Sequence, residues 1–342
     1  MKRKWLVMVI AIATLILAAC GGGSSSGSSN EKVTLSFSHF WPSHHIVQTN
    51  VIEKMGEELS AATNGNLTIE IFPAGQLGNP DEQYNLAANG TADIALSVHG
   101  YTAGKFPLSS VSDLPFMAES SEEGSEIIQQ LYEEFDDLQA EHKDTTPLWL
   151  FTGEPNQILS AKKEIKTIED LKGMKVRSPS PMMSQMLEAV GAVPVSMPVN
   201  DIYESLNKGV IDAAMAGLST INDMKLYEVV DYVTLTNVST SSMFVVMNTD
   251  VYEKLSDENK KALLAFAENG PKLTGQAMDE ASQQGIDKAN EEGITIYEPD
   301  ANEIQRWREA TKPVVDSWIA DMKSKGLDGQ AIYDRAVELS GK

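Results

Sequence analysis

The sequence predicts an α/β protein built of two lobes, and two observations support this prediction. The first is an alternation of short apolar strands with helices, which is clearest between residues 167 and 217. Such an alternation is typical of βαβ units on a parallel sheet. The second is length, because 342 residues exceed the about 250–300 that a single hydrophobic core usually serves. We therefore expect two lobes, each with its own core.

Periodicity and helix-end signals place the other elements along the chain. Alternating apolar and polar residues indicate strands, while Gly, Asn and Pro mark helix ends. Strands are predicted near 33–37, 67–71, 147–151 and 242–247, with another strand ending near 96. Helices are predicted at 46–63, 122–140, 256–292, 304–323 and 330–339, and another helix is predicted to begin at Pro80. We expect Gly270-Pro271 to kink the helix at 256–292.

Residues 1–20 have the zones of a bacterial lipoprotein signal peptide. Basic residues precede an apolar run over 5–17, which is too short for a transmembrane helix and leads to Leu-Ala-Ala-Cys20. We expect cleavage before Cys20 and lipidation of that cysteine. Residues 21–30 are almost entirely Gly and Ser, which predicts a flexible tether. The folded body would then be extracytoplasmic and lipid-anchored to the cell membrane, at the cell surface or in the periplasm.

Composition argues against several functions. The formal net charge of −22 disfavours nucleic-acid binding, which relies on a basic surface. Cys20 is the only cysteine, so an intrachain disulfide is excluded and no thiol is left for catalysis in the body. His39, His44 and His45 lack acidic partners at metal-ligand spacing. We expect no cofactor, no metal and no catalytic residue, and keep a metal-dependent enzyme as the less favoured alternative.

Arg177 is the residue around which we organise the candidate site. It is the only arginine between Lys4 and Ile304, and it lies at the end of the apolar, strand-like run 173–177. A guanidinium grips a carboxylate bidentately, which a lysine ammonium cannot do. The alternative is an arginine in a structural ion pair.

The residues on either side of Arg177 also predict an anion site. Thr167 and Asp170 have the spacing of a capping box, and Ser180 followed by Pro181 begins the next helix. In parallel sheets ligands bind beyond the carboxyl ends of strands, where helix N-termini present free N–H groups. We therefore predict that Arg177 and the N-terminus of the Ser180 helix hold an anion together.

Two further groups are candidate ligand contacts. After the first strand, an aromatic ring could cover a ligand and a histidine could donate a hydrogen bond; the alternative is a loop packed on its own lobe. This group consists of His39, Phe40, Trp41 and His44. The second group enters the predicted cleft from the other lobe and consists of Glu154, Asn156 and Gln157. Trp149 is expected in the core.

Several stretches together resemble the solute-binding proteins of tripartite ATP-independent periplasmic (TRAP) transporters, of the C4-dicarboxylate-binding (DctP) type. Each is short, but their order and spacing extend over residues 33–339. They are Phe-Pro-x-Gly-Gln-Leu-Gly at 72–78, Gly-x-x-Asp at 90–93, Leu-Pro-Phe at 114–116, Asp-Leu-Lys-Gly-x-Lys-x-Arg at 170–177, Gly-Ala-x-Pro-x-x-Met-Pro at 191–198 and Tyr-x-x-Leu-x-x-Gly-x-x-Asp at 203–212.

The resemblance implies a two-lobed, periplasmic-binding-protein-like fold with crossing strands and a long helix linking the lobes, and with the ligand in the inter-lobe cleft. Lobe I would comprise 31–150 plus 241–275, and lobe II with the C-terminal helices 151–240 plus 276–340. Arg177 would clamp the carboxylate of a small organic acid, and TRAP membrane permease subunits would be the partners. We expect a monomer. The alternative is a ligand-binding sensor lipoprotein that signals to a membrane partner.

Two departures from the family pattern bear on the ligand. Many members carry a second arginine where this sequence has Gln157, and many carry Glu-Asn where it has Met215-Ala216. The usual polar supports for a dicarboxylate are then missing. We expect a pocket near these residues for a monocarboxylate with an apolar, aromatic or keto-acid body.

Overall fold

The computed structural model describes residues 32–341. The predicted signal peptide (1–20), the predicted lipidation site Cys20 and the predicted tether (21–30) lie outside the described residues. Within the described range, no helix has the length and apolar content needed to cross a bilayer.

Eleven strands lie within residues 32–341. They are β1 (Val33–Ser38), β2 (Leu67–Phe72), β3 (Ile94–Val98), β4 (Thr146–Thr152), β5 (Gln157–Ser160), β6 (Lys175–Ser178), β7 (Val193–Ser196), β8 (Ala213–Ala216), β9 (Tyr232–Thr234), β10 (Ser242–Met247) and β11 (Thr295–Tyr297). The strands predicted away from Arg177 are all among them, with small shifts at their ends.

The same range contains twelve α-helices. They are α1 (Glu53–Ala62), α2 (Gln83–Ala88), α3 (Ser121–Glu134), α4 (Asp136–Ala140), α5 (Pro181–Ala189), α6 (Ile202–Asn207), α7 (Ser219–Asp223), α8 (Thr249–Lys254), α9 (Asp257–Ala267), α10 (Gly270–Glu291), α11 (Ala301–Ser324) and α12 (Gly329–Leu339). A π-helical segment, Gln48–Ile52, precedes α1, and 3₁₀ turns occur at His99–Tyr101, Ser109–Asp113, Ile168–Leu171, Val199–Asp201 and Leu226–Glu228.

Four predicted helices differ from the structure. The one predicted over 46–63 contains the π-helical segment Gln48–Ile52. Pro80 does not begin a helix as predicted, because a turn separates it from the start of α2. The helix predicted over 122–140 is divided at Phe135 into α3 and α4. The helix predicted over 256–292 is divided into α9 and α10, and Pro271 stands in the first turn of α10. A first-turn proline lacks an N–H that would be unpaired anyway, so Pro271 begins a helix instead of bending one.

The first sheet has the strand order β2-β1-β3-β10-β4. β1 is parallel to β2 and β3, whereas β10 is antiparallel to β3 and β4. Every residue of β3 and β10 is buried, as expected for central strands covered on both faces. The loop after β1 carries Phe40 and Trp41.

The second sheet has the strand order β11-β9-β5-β8-β6-β7. β6 is parallel to both neighbours, and the register places Arg177 opposite Val195 of β7 and Ala214 of β8. β5 is antiparallel to β8, with Gln157 opposite Ala216. The carboxyl ends of β6, β7 and β8 therefore lie at the same edge of this sheet.

Two chain segments cross side by side between the sheets. Residues 153–156 lead from β4 to β5, and residues 235–241 lead from β9 to β10. The segments are hydrogen-bonded to each other, for example from Gly153 N to Ser241 O at 2.8 Å. The predicted α/β class and the crossing strands are confirmed.

The long helix α10 contacts elements on both sides of the molecule. It packs on α3 and β4, and farther along on α7. Trp149 of β4 is 1 % exposed, as expected for a core residue, and donates from Nε1 to Thr274 Oγ1 of α10 at 3.1 Å. At Gly285 the helix touches the main chain before α7, where an added Cβ would overlap Leu218 O. The linking helix expected from the resemblance is confirmed.

We predict that Gly285→Ala destabilises the protein although alanine is the better helix former. Relieving the overlap with Leu218 O should cost about 1–3 kcal/mol, against about 1 kcal/mol gained in helix propensity. Gly56→Ala in α1 is the matched control, because the atom nearest to an added Cβ there is Ile69 Cβ at 3.6 Å. Thermal unfolding should give a lower Tm for Gly285→Ala and an equal or higher Tm for Gly56→Ala. An unchanged Tm for Gly285→Ala would contradict the close contact.

Candidate functional site

The guanidinium of Arg177, in β6, is held by three hydrogen bonds. Nε donates to Met197 O and Nη1 donates to Met215 O, each at 2.9 Å. Nη2 donates to Tyr101 Oη at 3.0 Å. A guanidinium has one N–H on Nε and two on each terminal nitrogen. One N–H of Nη1 and one of Nη2 therefore remain available for a ligand.

The charge of Arg177 is buried without a carboxylate partner in the described part of the chain. The side chain is 2 % exposed, and no Asp or Glu oxygen of residues 32–341 lies within 4.0 Å of its nitrogens. Burial lowers the pKa of Arg177, and Tyr101 and the more distant Asp201 partly oppose this effect. A buried charge is costly unless an opposite charge compensates it. This arrangement favours the binding of an anion from solution.

Tyr101 is a site residue that the sequence analysis missed. Its Oη accepts from Arg177 Nη2 at 3.0 Å and from Val199 N at 3.1 Å, which leaves its own O–H free to donate. Tyr101 follows the carboxyl end of β3. Its position just after a strand could have identified it from the sequence, because ligands of parallel sheets bind beyond the carboxyl ends of strands.

The helix predicted after Arg177 is present, but its N-terminus lines a different cavity. α5 begins at Pro181, and Ser180 Oγ accepts a main-chain N–H as its cap. Both residues line a neighbouring cavity of ≈ 130 Å³, whereas Pro179 lines the cavity next to Arg177. The prediction that Arg177 and this helix N-terminus act together on one anion is therefore corrected. The O–H of Tyr101 is the additional hydrogen-bond donor beside Arg177.

A cavity of ≈ 60 Å³ adjoins Arg177. Its walls are mainly apolar and include Phe40, Trp41, Val98, Tyr101, Val199, Met243 and Met278. Phe40 packs at 4.8 Å from Trp41 and at 6.1 Å from Tyr101, measured between ring centroids, so the aromatic side chains form one continuous wall. The polar side chains around the cavity are Glu154, Asn156, Ser219, Thr220 and Ser241.

The structure brings six predicted residues together at this cavity: Phe40, Trp41, Glu154, Asn156, Arg177 and Ala216. They come from the loop after β1, a crossing segment, and the ends of β6 and β8. The sequence analysis did not single out Thr220, Ser241, Met243 or Met278. These four residues share no local pattern, and only the tertiary fold brings them to the cavity.

Two predicted histidine contacts lie away from the cavity. His39 is buried, and its Nε2 lies 3.1 Å from Gln48 Oε1; burial lowers the pKa of His39 to about 4. His44 is exposed, with its Nε2 3.8 Å from Asp223 Oδ1. The loop packs partly on its own lobe, which was the alternative, while the aromatic residues between these histidines line the cavity.

Two other predicted contacts do not present their side chains to the cavity. The amide of Gln157 pairs with Asn237, donating to Asn237 Oδ1 at 2.6 Å and accepting from Asn237 N at 3.0 Å. The side chain of Met215 is fully buried in the core, but its carbonyl oxygen accepts from Arg177. Met215 thus supports the site through its main chain.

Glu154 is a buried carboxyl group at the cavity. It is 4 % exposed, and both of its oxygens are near Ser219 N, at 3.0 and 3.2 Å. Burial raises the pKa of Glu154 to about 7, and hydrogen bonds from Ser219 and Ser282 oppose part of this rise. Gly217 makes room for the group, because a Cβ there would overlap the Glu154 side chain.

The described residues offer hydrogen bonds, one buried guanidinium and one buried carboxyl group at this cavity. No group of three or more His, Cys, Asp and Glu side chains within residues 32–341 is placed to hold a metal ion. The arrangement is suited to holding a small anion with an apolar body.

Comparison with known proteins identifies the family of this chain. Residues 37–321 match the family model described as bacterial extracellular solute-binding protein, family 7. The chain is 27 % identical over 289 residues to the 2,3-diketo-L-gulonate-binding periplasmic protein YiaO of Escherichia coli K12, covering 84 % of this chain and 86 % of that protein.

Solved structures show the same fold. A marine metagenome TRAP solute-binding protein specific for aromatic acid ligands has a TM-score of 0.86 at 31 % identity, covering 91 % of this chain and 99 % of the other. A TRAP solute-binding protein from Rhodoferax ferrireducens with copurified benzoate has a TM-score of 0.87 at 30 % identity, covering 91 % and 98 %. One from Bordetella bronchiseptica with bound mandelate has a TM-score of 0.84 at 26 % identity, covering 90 % and 99 %. The chain therefore belongs to family 7 of the bacterial extracellular solute-binding proteins, and is a TRAP solute-binding protein and not an enzyme.

Proposed function

We propose that this protein captures a small monocarboxylate with an apolar, aromatic or keto-acid body, clamps its carboxylate on Arg177 and delivers it to TRAP membrane permease subunits. The observation that carries the proposal is the buried guanidinium, which has no carboxylate partner within residues 32–341 and keeps one free N–H on each terminal nitrogen. Two parallel N–H donors match the two oxygens of a carboxylate.

The rest of the cavity supports a ligand with an apolar body. The ring of a bound acid would face Phe40, Trp41 and Met243. The positions where many family members carry polar groups offer little here, because Gln157 is paired with Asn237 and Ala216 is apolar. The named ligands of the similar structures are aromatic acids, benzoate and mandelate, which agree with this choice.

Transport is favoured over the sensor alternative because the similar structures are TRAP solute-binding proteins. In this proposal the lobes are 31–150 plus 241–275 and 151–240 plus 276–340. A ligand between Tyr101 of lobe I and Arg177 of lobe II would bind the closed state more tightly than the open one, and so would shift the population towards closure. The protein would act as a monomer.

Arg177→Ala should raise the Kd for benzoate about 30-fold or more, which corresponds to about 2 kcal/mol, because it leaves the ligand carboxylate desolvated and unpaired. Arg177→Lys should recover only part of the affinity, since an ammonium cannot grip both oxygens. Isothermal titration calorimetry of the parent and both variants measures the Kd values for benzoate, pyruvate and succinate.

Arg335→Ala is the matched control, because Arg335 binds Glu134 and Glu338 and does not line the cavity. Its Kd should equal that of the parent. Parent-like affinity of Arg177→Ala would remove the clamp from the proposal, and tight succinate binding with no response to monocarboxylates would refute the ligand class.

We also propose that Cys20 carries the lipid anchor that holds the protein on the extracytoplasmic side of the membrane. Cys20→Ser should move the protein from the membrane fraction to the soluble fraction of a bacterial expression host and remove the acyl mass from the intact protein. Arg177→Ala should remain in the membrane fraction. Retention of Cys20→Ser in the membrane with an unchanged mass would disprove lipidation at this residue.

A further inference from the structure

We propose that Glu154 selects, among the monocarboxylates of the proposed function, acids that carry a hydroxyl group on the body away from the carboxylate. This inference rests on the proposed function, because Arg177 must first hold the carboxylate. Glu154 would accept a hydrogen bond from that hydroxyl and thereby read the far end of the ligand.

The first support is the position of Glu154 at the same cavity as Arg177. Both residues line it, and both are almost fully buried, at 4 % and 2 % exposure. Arg177 Nη1 is bonded to Met215 O, and the Glu154 carboxyl group is bonded to Ser219 N. Met215 lies near the end of β8 and Ser219 begins α7, so both side chains are anchored at the carboxyl end of the same strand.

The second support is the acceptor capacity that Glu154 retains. An ionised carboxylate offers about four lone-pair sites. Its partners in the described residues are Ser219 and Ser282, which leaves acceptor sites over. The hydroxyl of Thr220, also at the cavity, already donates to Gly217 O at 2.6 Å. Within residues 32–341, Glu154 supplies the only carboxyl group among the side chains that line this cavity.

The third support is the energetic effect of an unsubstituted ligand. An acid without a hydroxyl would cover the Glu154 carboxyl group with apolar surface and leave its remaining acceptor sites without a donor. A buried polar group left without a partner loses its hydrogen bonds to water and gains none in return. Sites built to bond a hydroxyl reject analogues that lack it for this reason. Discrimination by Glu154 should then reach about tenfold or more.

The titration of Glu154 supplies a second signature. Its pKa is raised to about 7 by burial, and the nearby Asp223 acts in the same direction. Asp223 in turn faces His44 and His45. As the pH falls from about 8 to 6, Glu154 gains its proton and its repulsion of an unsubstituted acid disappears. Benzoate should therefore bind more tightly at pH 6 than at pH 8.

The test measures Kd by calorimetry for benzoate, 3-hydroxybenzoate, 4-hydroxybenzoate and 3-methoxybenzoate at pH 6, 7 and 8. The methoxy compound keeps the oxygen but cannot donate, so it separates a hydrogen bond from mere size. At pH 8 the parent should bind one hydroxybenzoate at least about tenfold more tightly than benzoate and 3-methoxybenzoate, and this ratio should shrink towards pH 6.

Two variants separate hydrogen bonding from charge. Glu154→Met keeps the length and removes the acceptor, so the hydroxyl preference should disappear. Glu154→Gln keeps an acceptor and removes the charge, so the ratio of the Kd values for benzoate and hydroxybenzoate should become independent of pH. This second variant still tests the inference if Glu154→Met does not fold. Glu57→Gln, on the exposed face of α1, is the control and should behave as the parent.

Equal affinities of the parent for all four acids would overturn the role of Glu154 while leaving the clamp intact. A preference that persists in Glu154→Met, or a pH dependence that persists in Glu154→Gln, would overturn it as well. If the parent binds none of the acids and no other monocarboxylate, the proposed function fails and this inference fails with it.

Discussion

The buried guanidinium of Arg177 sets conditions that the surrounding structure has to meet. Its Nε and Nη1 need acceptors, and the carbonyls of Met197 and Met215 supply them because β6 lies between β7 and β8 in the observed register. Carbonyl oxygens satisfy the hydrogen bonds of a cation without neutralising its charge. A carboxylate in either place would have produced the structural ion pair considered as the alternative, and would have left no need for an external anion.

The parts of this site that sequence could predict are those fixed by local chemistry. Arg177 stood out because it is the only arginine between Lys4 and Ile304, a range that otherwise uses lysine. A capping pattern predicted the turn at Thr167, and the structure confirms the capping box there. Ser180 followed by Pro181 gave the start of α5 for the same reason. In each case a few neighbouring residues determine the conformation, so the pattern can be read directly from the chain.

The parts that could not be predicted depend on where a side chain points after its strand ends. His39 and Phe40 are neighbours, yet one turns inwards to Gln48 and the other faces the cavity. Gln157 lies on a strand that reaches the site, but Asn237 from the other crossing segment takes up its amide. These orientations are set by tertiary partners, which lie nine residues away for His39 and 80 residues away for Gln157, and no local spacing carries that information.

The hydrogen bond between Arg177 and Tyr101 joins a residue of the second sheet to a residue that follows a strand of the first. The other two partners, Met197 and Met215, belong to the second-sheet side. If the two sides move apart, the guanidinium keeps its orientation and gains a third free N–H. An arriving acid would then meet a preformed clamp on one side, and the aromatic wall with Tyr101 would cover it afterwards. In the proposed function, the Arg177 side would then set how fast the ligand associates, and the Tyr101 side would set how long it stays bound.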